Sequence, residues 1–266
     1  MNPVALAPLE DVQSQRDGRG IEIDEVGICD LRMPVQVLAR SGSSHSTVAE
    51  VEMTVDLAPD VKGTHMSRFV EVFHTSTSTL SPQTVGKLAE QIRARLDSAR
   101  AVIRIDFPYF ITREAPVTGL AAPVEYRGHL EAAVGATTEV RVGVRTPVTS
   151  LCPCSKEISD YGAHNQRGYV EIDVTCVPGS FVYLEDLIDV AEQSASAPIY
   201  SLLKRPDERH VTMQAYENPA FVEDIARDAA LLLKADDRIA AFTVRVTNLE
   251  SIHSHSAVAT IRSRRA

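Results

Sequence analysis

Ser81-Pro-Gln-Thr-Val85-Gly-Lys-Leu88-Ala89-Glu-Gln-Ile92-Arg-Ala-Arg-Leu96 reads as an amphipathic helix. Ser81 is a helix-capping residue type and Pro82 suits a first turn, because its missing N–H would have no helical partner there. Val85, Leu88, Ala89, Ile92 and Leu96 recur at helical spacing and form one apolar face. Working outward, strand-like runs precede this helix at 33–39 and 47–57, and Ala58-Pro59-Asp60 breaks the second. A short helix fits 65–73. Two strands follow, at 101–111 and 124–134.

The same order then starts again. Strands fit 140–148 and 169–177, and a helix fits 184–192. A second helix begins at Asn218-Pro219 and carries Val222, Ile225, Ala226, Ala229 and Leu232 on one face. Strands at 239–247 and 257–261 close the chain. The pattern is strand-strand-helix-helix-strand-strand, twice, without residue-level repetition. It predicts an α+β fold of two units, each an antiparallel sheet with helices on one face. The expected division is an arm over 1–30, either ordered by docking or a plain flexible terminus, a first unit over 31–136 and a second over 137–266.

Composition bounds the function. The chain has 266 residues, 44% hydrophobic and 24% charged, which suits a folded protein with a sizeable core. A net charge of -9 argues against a nucleic-acid or membrane-surface partner, since both attract positive charge. An anionic small substrate needs only a local basic cluster. No apolar run reaches the ~18 residues of a membrane span, and Met1 to Glu10 lacks a basic leader, so the cytoplasm is expected. There Cys29, Cys152, Cys154 and Cys176 should be thiols or metal ligands.

The chemistry-bearing residues fall in five places. Ser150-Leu-Cys152-Pro-Cys154 runs on through a polar loop to His164, Arg167 and Gly168. Thiolate and imidazole suit zinc and related ions, although Cys-x-Cys is tighter than the usual knuckle. Two buried cysteines beside a surface histidine, or a redox pair, fit the spacing as well. In Asn248-Leu-Glu250-Ser-Ile-His253-Ser-His255, Glu250 and His253 would point apart in a strand. Serving one site requires the chain to leave extended geometry near Ser251; a hydrated loop is the plainer reading. Lys204-Arg205-Pro-Asp-Glu208-Arg-His210 reads first as a solvated loop, with Glu208 as a carboxylate ligand and Lys204 and Arg205 as phosphate contacts in the functional reading. Lys62-Gly-Thr-His65-Met-Ser-Arg68 gathers cations suited to a polyphosphate, without the P-loop pattern, or is a polar turn. Glu223 sits in a helix first turn, where the dipole favours an acid; there it can also accept guanine N1–H and 2-amino hydrogens together.

Taken in order, Lys62-Gly-Thr-His-Met-Ser-Arg68-Phe-Val-Glu71, the run from Cys152 to Gly168, Arg205-Pro-Asp-Glu208, Ala215-Tyr-Glu-Asn-Pro219 and Glu250-Ser-Ile-His253 resemble the type IB GTP cyclohydrolases. The resemblance covers nearly the whole chain. It implies two fused tunnelling-fold (T-fold) modules, the second carrying most of the metal-site residues. It also implies a homotetramer with active sites at subunit interfaces and a divalent metal, Zn²⁺ or Mn²⁺. By position, Cys152 matches a catalytic cysteine and metal ligand, His164 and Glu208 match residues near or on the metal, and Glu250 and His253 match a further metal-site pair. Glu223 matches the guanine anchor, and Lys62, His65, Arg68 and Arg205 are expected to meet the triphosphate.

The implied reaction converts GTP and water to 7,8-dihydroneopterin triphosphate and formate at the head of folate synthesis. It begins with water attack at guanine C8, and a metal that brings the pKa of water to about 7 makes that attack feasible at neutral pH. The rival within the same fold is an NADPH-dependent nitrile reductase acting on a deazapurine. A zinc nucleobase deaminase lacks its His-x-Glu and Pro-Cys-x-x-Cys signature here. A zinc-stabilised binding module would lose its fold, rather than a turnover, when stripped of metal.

Overall fold

The computed structural model describes residues 10–76 and 79–264. The chain order is β1 (Ile23–Leu38), β2 (Ser44–Leu57), α1 (Met66–Ser76), α2 (Pro82–Leu96), β3 (Ala101–Glu114), β4 (Ala121–Val134), β5 (Thr138–Leu151), α3 (Pro153–Ile158), β6 (Asn165–Cys176), α4 (Leu184–Ser194), β7 (Ala197–Pro198), α5 (Arg205–Glu217), α6 (Val222–Ala235), β8 (Ile239–Asn248) and β9 (Ala257–Arg264). The strands form one antiparallel sheet in the order β1-β2-β3-β4-β5-β6-β8-β9, with β7 pairing β5 off this path. The main elements follow the expected doubled order.

Alternation in the strands decides the layers. In β3, Ile103, Ile105, Phe107 and Tyr109 are buried, while Arg104 and Asp106 face the other way. In β4, Val124, Tyr126 and Leu130 are buried between Glu125, Arg127, His129 and Glu131. The apolar face receives α2, α4 and α6 through Val85, Leu88 and Ile92, Leu187 and Ile188, and Ile225, Ala229 and Leu233. Burying one such large side chain contributes about 1.5–3 kcal/mol. Ser81 caps α2 reciprocally with Thr84, as its residue type predicts.

The opposite face carries a mesh of charge. Arg104 meets Glu25, Glu52 and Glu131; His129 meets Asp106 at 2.9 Å; Arg145 and Arg245 share Glu171. Burial alone would lower the pKa of His129, but Asp106 and Glu131 outweigh it and raise the pKa to about 9.

The structure corrects four local expectations. β1 begins at Ile23, well inside the expected arm. Two register shifts, between Ile23 and Val26 and between Ile28 and Leu31, interrupt its alternation, and Asp30 has φ 57°. Those bulges erase the period-two signal. Residues 13–17 lie against the turn after β2, through Asp17 N–H to Asp60 O, Lys62 N–H to Gln15 O and Gly63 N–H to Gln13 O. Lys204 to His210 is not a solvated loop but the start of α5, because Pro206 and Asp207 are first-turn residues and Asp207 accepts from Lys204 N. Cys152 opens a short helix, α3, where a polar loop was expected. The helix placed at Asn218 begins at Val222 instead, since Asn218 terminates α5. Among the described residues, no helix is long and apolar enough to cross a membrane, and all four cysteines are free.

Candidate active site

Strand register assembles one corner of the sheet. Leu151 ends β5 opposite Asn165 at the start of β6, and Gly168 pairs with Asn248 at the end of β8. Three strand ends therefore deliver Cys152, His164 and Glu250 to the same corner. Cys152 is the N-cap of α3, its Sγ accepting from Ser155 N at 3.4 Å, and its own N–H donates to His164 O at 3.1 Å. Pro153 follows at the first helical position. His164 is anchored by its N–H to Ser155 Oγ, and its Nδ1 lies 2.9 Å from Gln166 Oε1. Glu250 Oε2 is 4.0 Å from the same nitrogen. Both side chains are nearly enclosed, 13% and 14% exposed.

The chain leaves extended geometry after Asn248, as joint service of Glu250 and His253 requires. His253 and His255 stand in the exposed loop that follows, their rings stacked at 5.2 Å and 15°. Glu208 and Arg205 are exposed on the first turn of α5. A cavity of about 650 Å³ lies beside this helix, lined in part by Val117, Pro206, Arg209, His210 and Met213. Glu223 is exposed in the first turn of α6, which starts near Cys152 because Ala220 N–H donates to Leu151 O at 3.1 Å.

Lys62, His65 and Arg68 lie elsewhere. They follow the end of β2, and register aligns that end with Ala101, Val134 and Thr138. Cys152 follows the other end of β5, a 14-residue strand roughly 45 Å long. Within one chain, the basic loop and the cysteine thus occupy opposite ends of the sheet. Lys62 Nζ donates to Gln15 Oε1 at 3.1 Å, and His65 Nε2 is 3.2 Å from Asp11 Oδ2.

As a donor set, thiol, imidazole and carboxylate at one corner suit a borderline divalent ion. Among the described residues, however, no three His, Cys, Asp or Glu side chains stand close enough to hold a metal. The chemistry of the residues fits such an ion, while one chain alone does not gather Cys152, His164, Glu208, Glu250 and His253 around a point.

Two features of the corner escaped the sequence reading. Ser150, Gln166 and Asn248 form a buried polar cluster: Ser150 Oγ donates to Ala220 O at 3.0 Å and accepts from Asn248 Nδ2 at 2.9 Å and Gln166 Nε2 at 3.3 Å. Their signal was polar residues at inward-facing strand positions flanking the cysteine run. Asp207, fully buried, accepts from Lys204 N, Val117 N, Thr118 N and Thr118 Oγ1 at 2.8–2.9 Å, tying α5 to the β3–β4 connection. Burial would raise its pKa, but those hydrogen bonds prevail and hold it at about 2. The signal was a Pro-Asp pair, which marks a helix start as readily as a loop.

Known proteins bear on this arrangement. A type I GTP cyclohydrolase FolE2 family model matches residues 9–259. A GTP cyclohydrolase FolE2 of Caldicellulosiruptor saccharolyticus is 47% identical over 251 residues, 94% of this chain and 97% of that protein. The Magnetococcus marinus protein of the same name is 48% identical over 255 residues, 96% of each chain. Among solved structures, the uricase of Arthrobacter globiformis aligns over 91% of this chain and 93% of its own, with a TM-score of 0.54 and 8% identity. The urate oxidase of Bacillus subtilis aligns over 91% and 98%, with a TM-score of 0.51 and 10% identity. These likenesses show the shared architecture, the tunnelling fold, and nothing of the chemistry. Nothing found supports the nitrile reductase reading. The sequence matches run nearly end to end, and the chain belongs to the type I GTP cyclohydrolase FolE2 family.

Proposed function

We propose that the chain converts GTP and water to 7,8-dihydroneopterin triphosphate and formate, the entry reaction of folate synthesis. The observation that carries the reading is the family match along residues 9–259, and the convergence of Cys152, His164 and Glu250 at one corner supports it. Cys152 and His164 would hold a divalent ion, Zn²⁺ or Mn²⁺, with Glu208, Glu250 and His253 as the remaining donors. Bound there, the ion supplies a water of pKa about 7 for attack at guanine C8. Glu223 accepts the guanine N1–H and 2-amino hydrogens, which adenine cannot offer as a pair. His253 and Glu250 exchange protons with the purine nitrogens as the imidazole ring opens and formate leaves.

The separation within one chain supports an assembled site. Lys62, His65 and Arg68 reach a triphosphate bound beside Cys152 only from a second copy, whereas Arg205 lies at the same end as the cysteine. We read the enzyme as a homotetramer of two-module chains, divided at 136–137, working in the cytoplasm with active sites between subunits.

The test is metal-stripped protein incubated with GTP and added Mn²⁺ or Zn²⁺. Products are oxidised, dephosphorylated and examined for neopterin fluorescence and formate, with Cys152→Ala as control. Metal-dependent neopterin that vanishes in the variant is expected. A folded protein giving no product with either metal would overturn the reading.

A further inference from the structure

The buried cluster around Ser150 constrains a proton that the corner depends on. Ser150 is 1% exposed, and its hydroxyl has one hydrogen and two lone pairs. The hydrogen goes to Ala220 O, and the lone pairs take Asn248 Nδ2 and Gln166 Nε2. The hydroxyl is thus fully used. Gln166, 7% exposed, then has one permitted amide orientation. Reversing it would set its oxygen against a hydroxyl whose only hydrogen is already committed, leaving two acceptors face to face in a buried place. With Nε2 fixed on Ser150, Oε1 faces His164 Nδ1 at 2.9 Å. A carbonyl oxygen only accepts, so Nδ1 must carry the hydrogen. In the neutral ring, the free lone pair is then on Nε2.

We propose that Gln166 is a positioning residue, locked by Ser150, that holds neutral His164 in the Nδ1–H tautomer and so keeps Nε2 available as ligand or base. This deepens the cyclohydrolase reading and rests on it only for what Nε2 then does. The same hydroxyl ties β5 to β6, to β8 and to the residue leading into α6. It therefore sets Cys152, His164, Glu250 and Glu223 relative to one another through one hub. Asn248 reaches the hub over Gly168: a Cβ on residue 168 would stand 2.5 Å from Asn248 Oδ1. That oxygen has no partner of its own, so the geometry is set by what its amide nitrogen does.

The experiment uses full-length, metal-stripped protein labelled with ¹⁵N-histidine, with His164 assigned by its loss in His164→Gln. Two-dimensional ¹H–¹⁵N spectra distinguish the tautomers without metal or turnover. The wild type should show a single Nδ1–H form. Gln166→Leu should shift His164 toward the Nε2–H form. Ser150→Ala, which removes the lock and leaves Gln166 free to reverse, should bring in the Nε2–H form as well and serves also if the leucine variant does not fold. In the metal-loaded enzyme, Gln166→Leu should lower kcat and metal affinity about 10–100-fold, the range usual for groups that orient a ligand, with KM for GTP little changed. A wild-type Nε2–H tautomer, or an unchanged tautomer in folded Gln166→Leu, would overturn the proposal. Absence of any cyclohydrolase activity beside the expected tautomers would instead sink the functional reading and leave this one standing.

Discussion

Replacing Gly168 by alanine tests how tightly the corner is built. The added methyl would lie 2.5 Å from Asn248 Oδ1, 3.3 Å from Thr247 O and 3.5 Å from Val148 Cγ2. Only the first contact is impossible, and the atom involved belongs to a side chain that is 2% exposed. Asn248 must retreat, and in doing so it gives up its 2.9 Å bond to Ser150. Overpacking a core position costs about 1–3 kcal/mol, and leaving a buried polar group unpaired costs about 1–3 kcal/mol. Because the retreat relieves the overlap, the two overlap in part, and about 3 kcal/mol is expected. For a chain this long, each kcal/mol moves Tm by about 2–4 °C, giving a fall of roughly 6–12 °C by circular dichroism. Gly86→Ala is the control. Its methyl would meet Thr138 Cγ2 and Val140 Cγ2 at 3.4 Å, ordinary contact, and alanine is the better helix former by up to about 1 kcal/mol. Its Tm should hold or rise. If Gly168→Ala melted with the wild type while retaining full activity, Asn248 would not be pinned between Gly168 and Ser150.

Other outcomes follow from named groups. Asp207 has its pKa depressed from 3.8 to about 2, so its share of stability is present above pH 3.8 and lost as pH falls through about 2. Asp207→Asn should abolish that acid transition and speed hydrogen exchange at both ends of the tie, 115–120 and 204–208. His129 has its pKa raised from 6.5 to about 9, so its stabilisation is complete below pH 6.5 and lost as pH rises through about 9. Denaturant midpoints of His129→Gln should be flat across that window where those of the wild type decline. Arg68→Ala should raise KM for GTP; an unchanged KM removes Arg68 from the triphosphate. Mixed assemblies of Cys152→Ala and Arg68→Ala chains should recover activity at low GTP relative to either variant alone, because some sites then draw both intact residues from different copies. No recovery in proven mixed oligomers would mean that the basic loop and the cysteine do not share a site.

Legibility in the sequence tracked how regular each element is. β3, β4 and α2 follow undisturbed alternation or helical spacing, and their centres are placed correctly. β1 hides its first half behind two bulges, and α5 has few apolar residues, with only Asp207 and Ala215 buried, so periodicity has little to detect. Cys152, His164 and Glu250 were legible as residue types in motifs. That they converge depends on the pairing of β5, β6 and β8, which no local pattern encodes. Ser150, Gln166 and Asn248 resemble ordinary polar strand residues until the sheet buries them. The opposite placement of Lys62 and Cys152 is likewise a product of topology alone.

The neighbour-to-neighbour order of the sheet also shapes how the chain reaches its fold. Four consecutive strands, β3 through β6, pair as a run whose connections span only 115–120, 135–137 and 152–164. Such short closures cost little chain entropy and form early. Two joints are different: β2 meets β3 across 58–100, and β6 meets β8 across 177–238, each enclosing helices. Emerging from the ribosome, β1–β2 must wait for β3, and the central ribbon must wait for β8. Until then the β6 flank of the ribbon presents unpaired backbone, which makes the interval before β8 and β9 arrive the stage at which synthesis at high concentration would lose protein to aggregation.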